Sequence, residues 1–328
     1  MELFPDGGFV RLQNRANRRY VHADEDWVGV SLRPNGPVPS LNAVWRVEHW
    51  VSPLWPNDGD TFVLLQNAAY GRYLSSSMDE APHGHLGQRA TQHNRDDPQV
   101  LDIHPPWIWS VERLHAPDDD YVRLRHYAHN LRANGRYKIW NIGVTVDYNL
   151  QYPASSTMIQ WAVHAVEASP SPQPLPLTLQ HQGARRGLFF WRRTRIRGPG
   201  IVRQAGRRIR HVRASDEGNF DQNQYNWSSF FFYDSSLVNL RYELGRRQDD
   251  WNEDMLAFTL CMRPGSHGRL MPMVTDLPGS LDPMSIVVLR TGSPGDYSAI
   301  FSTICAACAL TVSACEMFNV QRVTARAT

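Results

Sequence analysis

Lysine is almost missing from this chain: of 34 basic side chains, Lys138 is the one lysine and the rest are arginine. Guanidinium forks therefore carry nearly all the positive charge, and they suit planar contacts with carboxylates, phosphates and aromatic rings. Cysteine is scarce as well, with four residues, all from Cys261 onward. That distribution excludes a disulfide framework, and Cys305-Ala-Ala-Cys308 has redox spacing without a βαβ context around it. The opening Met1-Glu-Leu-Phe-Pro-Asp6 lacks a basic-then-apolar stretch, so no secretory leader is expected and Asn226-Trp-Ser228 is a glycosylation sequon only on paper. The expected compartment is the cytoplasm, including its cytoskeleton, or the nucleus. No Gly-x-Ser-x-Gly elbow, no Gly-x-Gly-x-x-Gly or phosphate-cradling loop and no zinc quartet occurs. The expectation is a chain that is not an enzyme and uses no cofactor or metal.

A phrase that appears three times organises the first half. Phe9-Val-Arg-Leu-Gln-Asn14 followed by Tyr20-Val-His-Ala-Asp24 returns, 53 residues later, as Phe62-Val-Leu-Leu-Gln-Asn67 followed by Gly71-Arg-Tyr-Leu74. The third copy, Tyr121-Val-Arg-Leu-Arg125 and Leu131-Arg-Ala-Asn-Gly135, has a turn two residues shorter. Each copy is closed by a tryptophan phrase: Trp45-Arg-Val-Glu48, Trp109-Ser-Val-Glu112 and Trp161-Ala-Val163. Val10, Leu12 and Val21 alternate with Arg11 and Gln13, the period of a half-buried strand. Turn-rich Asn14-Arg-Ala-Asn17, Asn67-Ala-Ala-Tyr-Gly71 and His126-Tyr-Ala-His-Asn130 make each phrase a hairpin. A lone hairpin is marginal in water, whereas three can pool their apolar faces around one axis. Three copies over residues 1–168 fit a β-trefoil. Trp45, Trp109 and Trp161 are expected in its shared core.

Several segments carry a family resemblance. Met1-Glu-Leu-Phe4, Asp6-Gly7 and Val10-Arg-Leu12, with Tyr70-Gly-Arg-Tyr-Leu74, Leu131-Arg-Ala-Asn-Gly135, Trp140, Val144-Thr145 and Asp147, resemble the plant family of domain of unknown function 569 (DUF569). The resemblance implies a fascin-like, actin-cross-linking type of β-trefoil, and names actin as a partner. Fold kinship of that kind does not establish activity.

Beyond residue 168 the composition shifts. Residues 1–168 carry 19 acids against 15 bases, and the remainder 13 against 19. Residues 169–200 form a linker that starts with the proline-stiffened Ser169-Pro-Ser-Pro-Gln-Pro-Leu-Pro176 and turns arginine-rich. Eleven arginines lie between Arg185 and Arg213, with no acid from Ala168 through Ser215. Residues 201–290 read as a small β-grasp-like α+β domain. Its β-rich runs are Arg208–Val212, Ser229–Tyr233, Ala257–Cys261, Arg269–Met273 and Ser285–Leu289. Between the second and third, Ser236 can cap a helix through Glu243 with Leu237, Leu240 and Leu244 on one face. Cys261-Met-Arg263, Gly268-Arg-Leu270, Pro272 and Leu277-Pro278 resemble the same family's second domain. The overall class is mainly β. Residues 291–328 form a weakly hydrophobic or disordered tail, in which the uncharged stretch 297–315 is a weak membrane-anchor candidate.

The leading expectation is a non-enzymatic protein that presents trefoil loops to a protein partner, with actin filaments the candidate that the resemblance names. Its surface would be a basic edge of Arg11, Arg15, Arg18 and Arg19 with Arg132, Arg136 and Lys138, attracted to an acidic filament in a salt-sensitive way. One alternative is carbohydrate recognition through the equivalent Tyr20 and Tyr73. The other is nucleic-acid binding through residues 185–213, where Arg185, Arg186, Arg192, Arg193, Arg195 and Arg197 interleave with Trp191. The His-rich stretch Met78–Pro106 reads as a solvated surface loop rather than a metal site. The acidic clusters Asp24–Asp26 and Asp118–Asp120 read as turn formers.

Overall fold

The computed structural model describes residues 2–34, 40–51, 61–83, 85, 87–96, 105–114, 120–134, 142–148, 156–166, 206–247 and 258–296. The first twelve strands are β1 (Phe9–Asn14), β2 (Tyr20–Ala23), β3 (Val30–Arg33), β4 (Trp45–Val51), β5 (Thr61–Asn67), β6 (Tyr73–Glu80), β7 (Gln88–His93), β8 (Ser110–Arg113), β9 (Tyr121–His126), β10 (His129–Ala133), β11 (Val144–Tyr148) and β12 (Trp161–Val166). Six of them close on themselves. β1 pairs with β12 and β4, β4 with β5, β8 with β9, and β9 with β12. The Val63–Trp109 bridge joins β5 to the chain entering β8. The hairpins β2–β3, β6–β7 and β10–β11 cap one end and touch each other through Gly29–Thr91, Ser31–Gly143 and Val146–Gln88. A closed barrel with a triangular cap is a β-trefoil, and closure leaves the barrel no open edge.

The repeat explains the closure residue by residue. Val10, Val63 and Val122, then Leu12, Leu65 and Leu124, then Val21, Leu74 and Leu131 are all fully buried in one cluster. Trp45, Trp109 and Trp161 are equally buried, and each indole satisfies its N–H inside its own copy. Their Nε1 atoms donate to the carbonyls of Val21, Leu74 and Leu131 at 3.2, 3.0 and 3.0 Å. A buried indole needs such an acceptor. A second device joins neighbouring copies at the last residue of β1, β5 and β9. Asn14 Nδ2 donates to the Gln160 carbonyl at 3.2 Å, and Asn67 Nδ2 to that of Val44 at 3.2 Å. In the third copy His126 takes this place, its Nδ1 lying 3.1 Å from the Ile108 carbonyl. Each acceptor precedes a core tryptophan, so the three copies are tied in a ring.

One sequence expectation fails here. Met78–Pro106 is not a single loop, because β6 runs to Glu80 and β7 returns as Gln88–His93. The polar Gln88-Arg-Ala-Thr-Gln-His93 has no apolar alternation to announce it, since the three consecutive residues it buries, Ala90, Thr91 and Gln92, are one small and two polar side chains. The acidic turn behaves as read: Asp26 Oδ1 accepts from the backbone N–H of Val28 and Gly29, and Asp24 Oδ1 from the Ser31 hydroxyl.

The second domain contains β13 (Arg207–Arg213), β14 (Ser228–Phe232), α1 (Leu237–Arg246), β15 (Phe258–Met262), β16 (Met271–Pro272) and β17 (Met284–Arg290). Its sheet order is β14-β13-β17-β15-β16, with β13 and β17 parallel. This is a β-grasp. The Ser236 side chain caps α1 by accepting from the Asn239 N–H, and Leu237, Leu240 and Leu244 are buried beneath it. On the opposite sheet face Cys261, Val287 and Leu289 pack under Trp227. Burial pushes the Cys261 thiol well above its ordinary value, so it is an inert core residue.

Candidate functional site

The trefoil turn between β5 and β6 receives the second domain. In the first copy, Arg18 adopts a left-handed φ of 58°, and Gln13 Nε2 donates to its carbonyl at 3.0 Å. In the second copy, Gly71 has φ 68° and Gln66 Nε2 donates to its carbonyl, again at 3.0 Å. The absence of a side chain matters, because a Cβ built on Gly71 would stand 3.1 Å from Met271 Cβ. Met271 belongs to β16, so the glycine is where the β-grasp edge meets the trefoil. Gln66 Nε2 also donates to the Arg269 carbonyl at 2.8 Å, which joins the two domains.

Beside this contact lies a polar node. Tyr73, completely buried, donates its hydroxyl to Glu48 Oε2 at 3.1 Å and accepts from the Arg269 N–H at 3.1 Å. Arg95 pairs with Glu48 Oε1, and Arg269 Nε lies 3.4 Å from Glu48 Oε2. Burial, reinforced by the neighbouring Glu48 charge, holds the Tyr73 phenol well above its ordinary value. It remains a neutral hydrogen-bonding group at any physiological pH. Arg95 extends the seam through its backbone: its N–H donates to the Pro264 carbonyl, and its carbonyl accepts from His267 N–H, both at 2.9 Å.

A third group completes the seam. Trp27, only 2% exposed, has φ 71°, and its carbonyl accepts from Arg72 Nη1 at 2.7 Å. The Arg72 guanidinium lies 3.8 Å above the indole, and Arg207 of β13 approaches the same ring at 5.8 Å. Burial pulls Arg72 down to about 10, with Arg207 adding to the drop and Asp282 and Asp96 opposing it. A non-glycine residue at this φ is costly and persists only where its surroundings over-determine it. Here the Asp26 turn, the Arg72 bond and the second domain do so, and Glu25 alongside accepts at its carbonyl from the Gly279 N–H at 2.6 Å. The arrangement fixes one domain on the other.

The sequence-derived residues fall elsewhere. Arg11 lies over the Tyr20 ring at 4.9 Å, and Arg15 over Tyr121 at 4.7 Å while bonding Gln160 Oε1 at 2.7 Å. Arg18 is exposed and Arg19 half-buried, so these four share the first hairpin. Arg132 is on a cap strand, 4.0 Å from the Asp147 carboxylate. Arg136 and Lys138 lie outside the described residues, as do Arg185, Arg186, Trp191, Arg192, Arg193, Arg195, Arg197, the cluster 118–119 and the stretch 297–315. Tyr20 and Tyr73, the proposed carbohydrate pair, are not presented to solvent: they are 7% and 0% exposed. Among the described residues, no three His, Cys, Asp or Glu side chains converge on a metal position, and no helix is long and apolar enough to cross a membrane. Sequence reasoning passed over Trp27, Glu48 and Gly71 as a set. The one available signal was a glycine in the second copy where the first has Arg18.

Residues 1–164 match the model of the beta-trefoil domain of unknown function (DUF569), and residues 205–289 that of the DUF569 associated ubiquitin-like domain. The chain belongs to the DUF569 family. Its β-grasp is thus the family's ubiquitin-like domain, and the seam joins the two. No curated protein matches the chain. Among solved structures, the SDF2-like protein from Arabidopsis thaliana is 14% identical, with 48% of this chain and 93% of that chain covered and a TM-score of 0.36. A salivary protein from Culex quiquefasciatus of the Cysteine and Tryptophan-Rich family is 15% identical over 49% of this chain and 94% of that one, with a TM-score of 0.33. The designed threefold-symmetric ThreeFoil is 17% identical over 48% and 98%, with a TM-score of 0.34.

Proposed function

We propose that this DUF569 protein is a non-enzymatic, cytoplasmic binding protein whose trefoil holds a protein partner through the turns of its repeats. The observation that carries this reading is the seam itself. A trefoil turn with a left-handed residue and a buttressing glutamine already serves as a docking surface for a folded domain. The first copy repeats that turn geometry with Arg15 and Arg18 where the second has Ala68 and Gly71, and with Arg19 where the second has Arg72, so it carries two more positive charges. Its partner would therefore be acidic, and association would weaken as salt rises. Filamentous actin, named by the family resemblance, is the specific form of that partner.

Cosedimentation of the full chain with actin filaments at low and moderate salt tests it. Pelleting that declines with salt, and falls several-fold further for Arg18→Glu/Arg19→Glu, is the expected result. Absence from the pellet at both salts removes actin. Capture of other acidic proteins that is indifferent to the two arginines removes the turn as the contact. The burial of Tyr20 and Tyr73 weighs against the carbohydrate reading, and binding on a glycan array would reverse that judgement.

A further inference from the structure

The ubiquitin-like domain carries a face that neither the seam nor its own core uses. In β14, Phe230 and Phe232 are buried on the α1 side, while the intervening Phe231 is 61% exposed and Tyr233, just past the strand, is 56% exposed. Residues two apart on a strand share a face about 7 Å apart. The antiparallel register sets Arg208 opposite Phe231 and Arg210 opposite Ser229. Gly206 precedes β13 where Tyr233 follows β14, and the Tyr233 ring lies so close over it that an added Cβ would stand 2.6 Å from Cε1. Arg208 Nη2 donates to Ser229 Oγ at 3.2 Å, which holds a guanidinium on this face. Tyr225, 92% exposed, borders it: the adjacent Gln224 accepts from Ser285, whose strand neighbour is Arg210.

We propose that this outer face of β13 and β14 binds single-stranded RNA, with Phe231 and Tyr233 stacking on unpaired bases and Arg208 and Arg210 meeting the phosphates between them. Rows of rings and guanidinium groups on adjacent strands match a ligand in which π-faces and negative charges alternate. Charge complementarity favours a polyanion, because no acid occurs from Ala168 through Ser215, the stretch that enters and includes β13. The carboxylates that flank β14 in sequence, Asp221 and Asp234, are engaged by the local donors Asn226 and Asn239. Ser229 keeps a hydroxyl hydrogen for a ribose 2′-hydroxyl, the group that separates RNA from DNA. A duplex is disfavoured, since its bases are stacked away from a flat two-stranded face.

Fluorescence anisotropy of the full chain with a labelled oligouridine of about 12 nucleotides tests this, beside the matching DNA, an RNA duplex, heparin and a polyglutamate peptide. The single-stranded RNA should bind tightest. Phe231→Ala/Tyr233→Ala should weaken it about tenfold or more while leaving heparin binding unchanged. Arg208→Ser/Arg210→Ser should lower the log–log salt slope by about 1.4. All four side chains lie outside the core, and an unchanged melting temperature certifies each variant as folded. The proposal is overturned by no RNA binding at low salt, by an affinity indifferent to the two rings, or by preference for DNA or duplex. Polyglutamate binding with the same dependence on Phe231 also overturns it, and assigns the face to an acidic protein.

Discussion

The first and second copies of the trefoil have the same turn and opposite surroundings. Gln13 and Gln66 buttress it identically, and Asn14 and Asn67 tie it to the chain before a core tryptophan. At the tip, however, Arg18 becomes Gly71. Three residues after the closing tryptophan, His164 faces Tyr20 where Glu48 faces Tyr73. The glycine lets Met271 come close, and the carboxylate gives Arg95 and Arg269 an anion to share. Symmetry thus builds the barrel, and two departures from symmetry decide which copy accepts the ubiquitin-like domain.

Breaking the anion should do the most damage. Glu48→Ala leaves two guanidinium groups and the Tyr73 hydroxyl without their acceptor in a largely buried site, and is expected to destabilise the chain by about 3 kcal/mol in urea denaturation. The equivalent Glu112 after Trp109 is 42% exposed, and its partners are Arg125, equally exposed, and Arg123, at 18%. Glu112→Ala should change stability by less than about 0.5 kcal/mol. Next comes the tip: Gly71→Arg installs the first-copy residue in the second, and overpacking against Met271 should cost about 2 kcal/mol. A thermal scan should then resolve separate trefoil and ubiquitin-like transitions. The reciprocal Arg18→Gly opens no room that a domain needs, and its melting curve should stay within about 0.5 kcal/mol of the parent.

Acid gives the mildest contrast. Burial holds His211 and His164 below their ordinary value, aided by Arg247 and Arg11 respectively. A histidine depressed in the fold binds its proton more readily when unfolded. Its stabilisation is therefore present above the unfolded value near pH 6.5 and is lost as pH falls below it. A shallow decline in melting temperature below about pH 6.5 is expected, and His211→Gln should flatten part of it.

The elements legible in the sequence were those with local periods. Alternation at Val10 and Leu12, the constant offset to Phe62 and Tyr73, and the Ser236 cap before Leu237, Leu240 and Leu244 each leave a pattern within a few residues. The polar strand β7 left none, because a cap hairpin need not alternate. The seam was illegible for a different reason: Gln66 and Arg269 are 203 positions apart, and neither is unusual in its own neighbourhood. Only laying the copies against each other isolates Gly71, and even that shows a vacancy without naming what fills it. Of the surfaces proposed from charge alone, Arg11 and Arg15 prove to rest on tyrosine rings, since guanidinium groups pack against aromatics as readily as they meet acids.

Native-state amide hydrogen exchange tests the docking of the two domains most directly. The N–H groups of Arg95, His267, Arg269 and Gly279 donate across the seam, to Pro264, Arg95, Tyr73 and Glu25 respectively. In the full chain these four should be protected together, and Gly71→Arg should release them while amides beside Trp45, Trp109 and Trp161 stay slow. Free exchange of the four in the unaltered protein, at the rate of exposed loops, would contradict the docked arrangement.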